Sequence, residues 1–131
     1  MLGEVNQARG TAVLLISHNL ALVSQNCDRV LVMYAGRIVE DLDSSQLHVS
    51  AMHPYTRALL EAVPELGQDR DVPLAQIPGE VPDIGNPPAG CPFHPRCPLA
   101  ISRCSTELPP LRTWADGRRV ACHVAEEGQA A

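Results

Sequence analysis

Twelve prolines, all after residue 53, constrain this chain more than any other feature. Each lacks a backbone donor and interrupts the helical or strand period around it. From Gly67 to Gly90 the text reads as loop, punctuated by Pro73, Pro78, Pro82, Pro87 and Pro88. Large apolar side chains are scarce, with one Trp, one Phe and two Tyr among 131 residues. Burial alone cannot offset the ordering entropy of such a segment. The residues that follow carry Cys91, Cys97, Cys104 and Cys122, a set suited to supplying what burial lacks.

The first third has the opposite character. Thr11 to Ile16 (TAVLLI) is an apolar, partly β-branched run, the pattern of a strand buried on both faces of a parallel sheet. Gly10 is placed to stop a helix tail over residues 1–9. Asn19 can cap a helix over Leu20 to Asn26, with Leu20 and Val23 on one face. Asp28 to Ala35 and Arg37 to Asp41 read as strands around a tight turn at Ala35-Gly36. Asp43 and Ser44 suit the cap of a short helix through His48, and Pro54 the first turn of a helix over residues 53–63 that Pro64 breaks. A doubly buried strand needs neighbours on each side, so the chain reads as the end of a larger α/β domain. Residues 1–43 are expected to close that domain, and residues 44–131 to form an extension made of the helix, the 67–90 loop and a four-cysteine knot over 91–122.

Formal net charge is −5 and every one of the ten basic residues is Arg. An acidic chain lacks the basic face that nucleic acid requires. No apolar run reaches the roughly 20 residues of a membrane span, and the first residues lack the pattern of a secretory signal. The expected setting is reducing, where four cysteines point to metal more than to disulfides.

His18 stands where Ser17-His18 ends the apolar run and Asn19 begins a helix, the place beside strand ends where α/β sheets bind ligands. The stretch GTAVLLISHNLALVSQNCDRVLVMYAGRIVE resembles the end of the ATP-binding subunit of ABC transporters, from the switch-histidine region onward. That resemblance implies that His18 contacts the γ-phosphate of ATP bound with magnesium. Residue 19 is more often Asp in that family, but Asn keeps the capping role. A phosphate loop needs G-x-x-x-x-G-K-[ST], and this chain has no Lys. Alone, it is expected neither to bind ATP tightly nor to hydrolyse it.

Further along, His53-Pro54-Tyr55-Thr56-Arg57-Ala58-Leu59-Leu60, then IPGEVPD over 77–83 and PPAGCPFHPRCP over 87–98, resemble the C-terminal extension of oligopeptide and dipeptide importer ATPases. The resemblance implies an ATP-driven importer of peptides, with nickel as the other candidate cargo. Its implied partners are a second ATP-binding subunit, the transmembrane permease subunits and, indirectly, a peptide-binding protein. Its implied location is peripheral, on the cytoplasmic face of a bacterial inner membrane.

The cysteine spacing is C-x5-C-x6-C-x17-C. Four thiolates suit an iron–sulfur cluster or tetrahedral zinc, and the close C-x2–4-C pairs of structural zinc sites are missing. The resemblance implies a four-iron, four-sulfur cluster, with zinc and free thiols as the alternatives. His94 and His123 flank the set as substitute ligands or neighbours. Arg96 and Arg103 are candidates to balance its charge, or plain surface cations, and Cys27 reads as a buried structural thiol. The competing function is a stand-alone metal-binding interaction module.

Overall fold

The computed structural model describes residues 10–63, 76–83 and 85–127. The expected helix tail over residues 1–9, the break at Pro64 and residues 67–75 of the expected loop lie outside the described residues. Gly10 is described, with φ of +60°, the left-handed conformation of a helix-ending glycine.

Thr11 to Ile16 is not a strand in this structure. Leu14 is 82 % and Ile16 89 % exposed. A strand exists only through its ladder, and no described residue pairs with this run. The expected parallel sheet is likewise replaced, among the described residues, by a four-stranded antiparallel one in the order β1-β2-β4-β3.

The elements beyond Ile16 follow local rules closely. Helix α1 spans Leu20–Asn26, and the Asn19 side chain accepts from the Leu22 N–H at 3.0 Å. Strand β1 (Arg29–Tyr34) alternates strictly, burying Val30, Val32 and Tyr34. It turns through Ala35 and Gly36, at φ of +47° and +74°, into β2 (Arg37–Asp43). Positive φ at both central residues is the two-residue hairpin turn that matches strand twist. Gly36 suits it, whereas Ala35 is strained there. Ala35→Asn is expected to stabilise the fold by about 0.5 kcal/mol, read as a small rise in Tm.

Pairing of β1 with β2 slips between Val32 and Met33, whose partners are Glu40 and Ile38. The bulge falls at Val39, and β2 buries Val39, Glu40, Asp41 and Leu42 in succession instead of alternating. Further along come a single helical turn at Ser44–Gln46, helix α2 (Leu47–Ser50) and helix α3 (Pro54–Glu61). Asp43 holds the cap position before that turn without a side-chain hydrogen bond. Two more short turns, His94–Arg96 and Ser102–Ser105, precede β3 (Arg112–Thr113), β4 (Arg119–Val120) and α4 (His123–Glu127).

Strand β4 closes the sheet against β2, pairing Val120 with Glu40 and Arg119 with Asp41. Asp41 is buried and accepts both hydrogen bonds of the Arg29 fork at 2.6 Å and one from Arg119 Nε at 2.7 Å. The Arg29 hydrogen bonds, helped by Arg119, hold the Asp41 carboxyl below its ordinary pKa of 3.8 against the opposing cost of burial. A depressed carboxylate pKa adds stability above the unfolded value and loses it as pH falls through the folded one. Stability should therefore drop more steeply below about pH 4 than for Asp41→Asn, whose urea midpoints from pH 6 to pH 2 should show a flatter acid limb.

The main core unites both halves of the chain. Val23, Val30, Val32, Tyr34, Val39, Leu42 and Leu47 share one buried cluster with Cys91, Phe93 and Cys104. A second cluster joins Val120, Cys122 and Ala125 to Met52 and Trp114. The proline-rich half, whose composition suggested that burial could not order it, borrows the apolar face of the β1–β2 hairpin.

Candidate functional site

Tyr34, the last residue of β1, is where the motifs meet. Its ring stands edge-on to Tyr55 at 4.6 Å and to Phe93 at 5.2 Å, and Tyr55 lies 5.3 Å from Phe93. Such pairs add roughly 0.5–1.5 kcal/mol each beyond area burial. They bring the HPYT helix and the CPFHPRC turn onto one strand. Arg96 adds the third motif: its guanidinium donates to the Pro78 and Ile77 carbonyls at 2.9 and 3.0 Å and to the Tyr34 hydroxyl at 3.3 Å. The sequence offers Arg96 as a counter-charge for thiolates or a surface cation, but the structure makes it the clamp of the IPGEVP segment. Arg103 pairs with Glu107 at 2.8 Å, one helical turn away.

The HPYT sequence builds its own helix start. Pro54 takes the first helical position, where a missing N–H costs nothing. His53 caps it, with Nδ1 accepting from the Tyr55 N–H at 3.0 Å. Beneath lies Glu40, 0 % exposed, whose carboxylate accepts from the Met52 and His53 N–H groups at 2.6 and 3.2 Å. Glu40 escapes sequence reading because the bulge places it inward, against the alternation a strand leads one to expect. Burial lowers the His53 pKa to about 4, so the ring is neutral near pH 7. With Nδ1 accepting, its single proton sits on Nε2.

The four cysteines come to one region. The Cys91 N–H donates to the Cys104 carbonyl at 2.8 Å. Gly90, at φ of +72°, permits that approach, since a Cβ there would overlap the Cys104 carbonyl and lie 2.8 Å from the Ser105 carbonyl carbon. Cys91, Cys104 and Cys122 are buried and Cys97 partly so. Cys91 feels charge on Cys104 and Cys97, Cys97 that on Cys104, and Cys122 that on Cys91 and Cys97. Desolvation raises the Cys91 and Cys97 thiols and pushes Cys122 up to about 11. Among the described residues, however, no three His, Cys, Asp or Glu side chains stand close enough to hold one metal ion. His94 Nδ1 lies 2.9 Å from the Cys91 carbonyl and His123 Nε2 lies 3.0 Å from the Glu107 carbonyl. Cys27 is partly buried against the main core.

His18 is exposed in a bend one residue before the α1 cap, outside both core clusters. No helix among the described residues is long and apolar enough to cross a membrane.

Known proteins carry the same arrangement of sequence. The chain is 48% identical, along its whole length, to 37% of "Probable peptide ABC transporter ATP-binding protein y4tS" of Sinorhizobium fredii. It is 48% identical over 95% of its length to 38% of the di/tripeptide transport ATP-binding protein DppF of Pseudomonas aeruginosa. Over 94% of its length it is 46% identical to 37% of the dipeptide transport ATP-binding protein DppD of Escherichia coli. It thus spans under two-fifths of the length of these relatives. Residues 39–104, from the bulge of β2 through the third cysteine, match the family described as "Oligopeptide/dipeptide transporter, C-terminal region". With that span holding Glu40, the HPYT helix, the Arg96 clamp and the Tyr34 contacts of Tyr55 and Phe93, the chain belongs to the oligopeptide/dipeptide transporter C-terminal region family.

Proposed function

We propose that this chain works within the ATP-binding subunit of an ABC importer for oligopeptides or dipeptides, at the cytoplasmic face of a bacterial inner membrane. The observation that carries this reading is the joint seating of the HPYT, IPGEVP and CPFHPRC segments on Tyr34. On this reading those segments make up the peptide-importer extension, seated on the hairpin that follows the His18 region. Peptide rather than nickel is the inferred cargo, because the relatives' names describe peptide transport. ATP with magnesium would supply the energy of the cycle through phosphoryl transfer. The partners would be a second ATP-binding subunit and the transmembrane permease subunits, fed by a peptide-binding protein.

Within such a subunit His18 would meet the γ-phosphate, and its exposure suits that contact. Phosphoryl transfer depends on several positioned charges together. A chain without Lys, offering His18 alone, is expected not to hydrolyse ATP by itself. The test is a chimera in which this chain replaces the matching 38% of the Pseudomonas aeruginosa relative. The chimera should restore dipeptide uptake to a strain lacking that relative, and His18→Ala within it should lower ATP turnover by about 100-fold while ATP still binds. A chimera that assembles and hydrolyses ATP without importing peptide would contradict the reading.

The cysteines are assigned to one four-iron, four-sulfur cluster bound by Cys91, Cys97, Cys104 and Cys122. What supports the reading is the donor set itself, four cysteines within residues 91–122, three of them buried. Zinc is the alternative centre for the same four thiolates. A cluster spreads its four thiolates over the corners of a larger body. The cysteines would hold it and seal it from water, and the cluster would staple the turns at 94–96 and 102–105 to α4.

A further inference from the structure

His18 stands between two anchored residues. Leu15 and Leu20 are partly buried against the main core, while Ser17, His18 and Asn19 between them are exposed. Packing therefore fixes where the chain leaves the core and where it returns, and leaves the direction of the bend open. Local hydrogen bonds settle that direction. The Asn19 N–H donates to Ser17 Oγ at 3.1 Å, so the bond passes over His18 alone. Asn19 itself is extended, at φ of −93° and ψ of 99°, and is tied to α1. Its Oδ1 accepts from the Leu22 N–H at 3.0 Å and its carbonyl from the Val23 N–H at 3.1 Å.

A serine hydroxyl that bonds the main chain two residues on sets a turn by itself. The dihedrals it restrains here are those of His18 and of the junction between Ser17 and His18. Ser17 is exposed, and its partner is two residues away. Such a bond covers no apolar surface and joins no distant parts of the fold, so it adds little to overall stability. What it fixes is the path of the chain on either side of one imidazole.

We propose that Ser17 is a positioning residue for His18: its Oγ holds the Asn19 N–H and so presents the imidazole in a single direction. The inference rests on the role given to His18 above and adds a residue that acts only through it. A group that must meet developing charge is effective when it is already in place, because reorganisation during the reaction raises the barrier. Without the Ser17 hydroxyl, His18 is still present but samples several directions, and only the productive fraction counts. The loss therefore falls on turnover. Nucleotide affinity depends on the phosphate loop, whose Lys this chain does not supply.

The test places Ser17→Ala, Ser17→Thr, His18→Ala and the Ser17→Ala/His18→Ala double variant in the chimera described above, reading kcat and KM for ATP. A second readout, free of nucleotide, is solvent exchange of the Asn19 amide by NMR in the 131-residue chain. Ser17→Ala should lower kcat about 5-fold, the worth of one hydrogen bond, with KM for ATP unchanged. It should also speed Asn19 amide exchange about 3-fold. Ser17→Thr keeps the hydroxyl and should restore both values. The double variant should be no slower than His18→Ala alone, since Ser17 acts through His18. Wild-type kcat or unchanged Asn19 exchange in Ser17→Ala, beside a crippled His18→Ala, would overturn the positioning role and leave the importer reading standing. Losses that add in full in the double variant would overturn it as well. A His18→Ala chimera with undiminished turnover would overturn the role of His18 and this inference with it.

Discussion

Replacing any one of Cys91, Cys97, Cys104 or Cys122 with serine is expected to remove most of the bound iron, whereas Cys27→Ser should leave it in place. The contrast follows from where the thiols lie. Cys27 is partly buried against the hairpin core and follows the last turn of α1. Charge on Cys104 and Cys97 reaches Cys91, and charge on Cys91 and Cys97 reaches Cys122. Burial holds three of them above the ordinary thiol pKa. Gathered as bare thiolates they would repel one another in a poor solvent for charge, and a bound metal centre removes that cost. Ligand–metal bonds form only when residues 91–122 are folded, so they contribute to stability directly. For structural metal sites that contribution is on the order of 10 kcal/mol. The serine variants should therefore lose the order of the 91–122 segment along with the iron. Limited proteolysis should cut there at least 10-fold faster, with the β1–β2 hairpin the slower part to be digested. Serine variants that keep full iron would show that the cysteine in question is not a ligand.

Gly90→Ala should be the most damaging methyl group added at any described glycine, and Gly36→Ala provides its control. Both glycines have nearly the same backbone, φ of +72° and +74°. Around Gly36 nothing lies within 4 Å of an added Cβ. That substitution carries only the left-handed strain, about 1 kcal/mol. At Gly90 the Cβ meets main chain: the Cys104 carbonyl oxygen, the Ser105 carbonyl carbon and the Thr106 nitrogen at 2.9 Å. Backbone cannot turn aside as a flexible side chain does, so the segment of residues 90–91 must separate from residues 104–106. The hydrogen bond from Cys91 N–H to the Cys104 carbonyl would break, and two thiols would move apart. A loss on the order of 3 kcal/mol is expected, together with loss of iron that Gly36→Ala does not share. Equal urea midpoints for the two variants would show that residues 90 and 104 are not held together as described.

Local chemistry is legible in the sequence wherever one residue type settles a conformation. Asn19 and the spacing of Leu20 and Val23 define α1 to its observed ends, Ala35-Gly36 marks the hairpin turn, and Pro54 marks the start of α3. What stays hidden depends on partners distant along the chain. Thr11 to Ile16 has the composition of a buried strand, but a ladder needs a neighbour that composition does not name. Glu40 looks like a surface residue of an alternating strand until the bulge at Val39 reverses its direction. Arg96 reaches back 62 residues to Tyr34, a distance over which no spacing rule operates. By its own composition the proline-rich half is too poor in apolar residues to order itself. It is ordered with the hairpin, through Phe93, Cys91 and Cys104, so the composition of one half misjudges a core that both halves share. Residues 39–104, where the HPYT, IPGEVP and CPFHPRC motifs lie, are the part of the chain that matches the family.

Metal analysis of the wild-type chain, purified without oxygen, tests the central claim most directly. About four irons and four acid-labile sulfides per chain, a brown colour and negligible zinc are the expected result. One zinc per chain with no iron, or no metal at all in a folded chain, would contradict it.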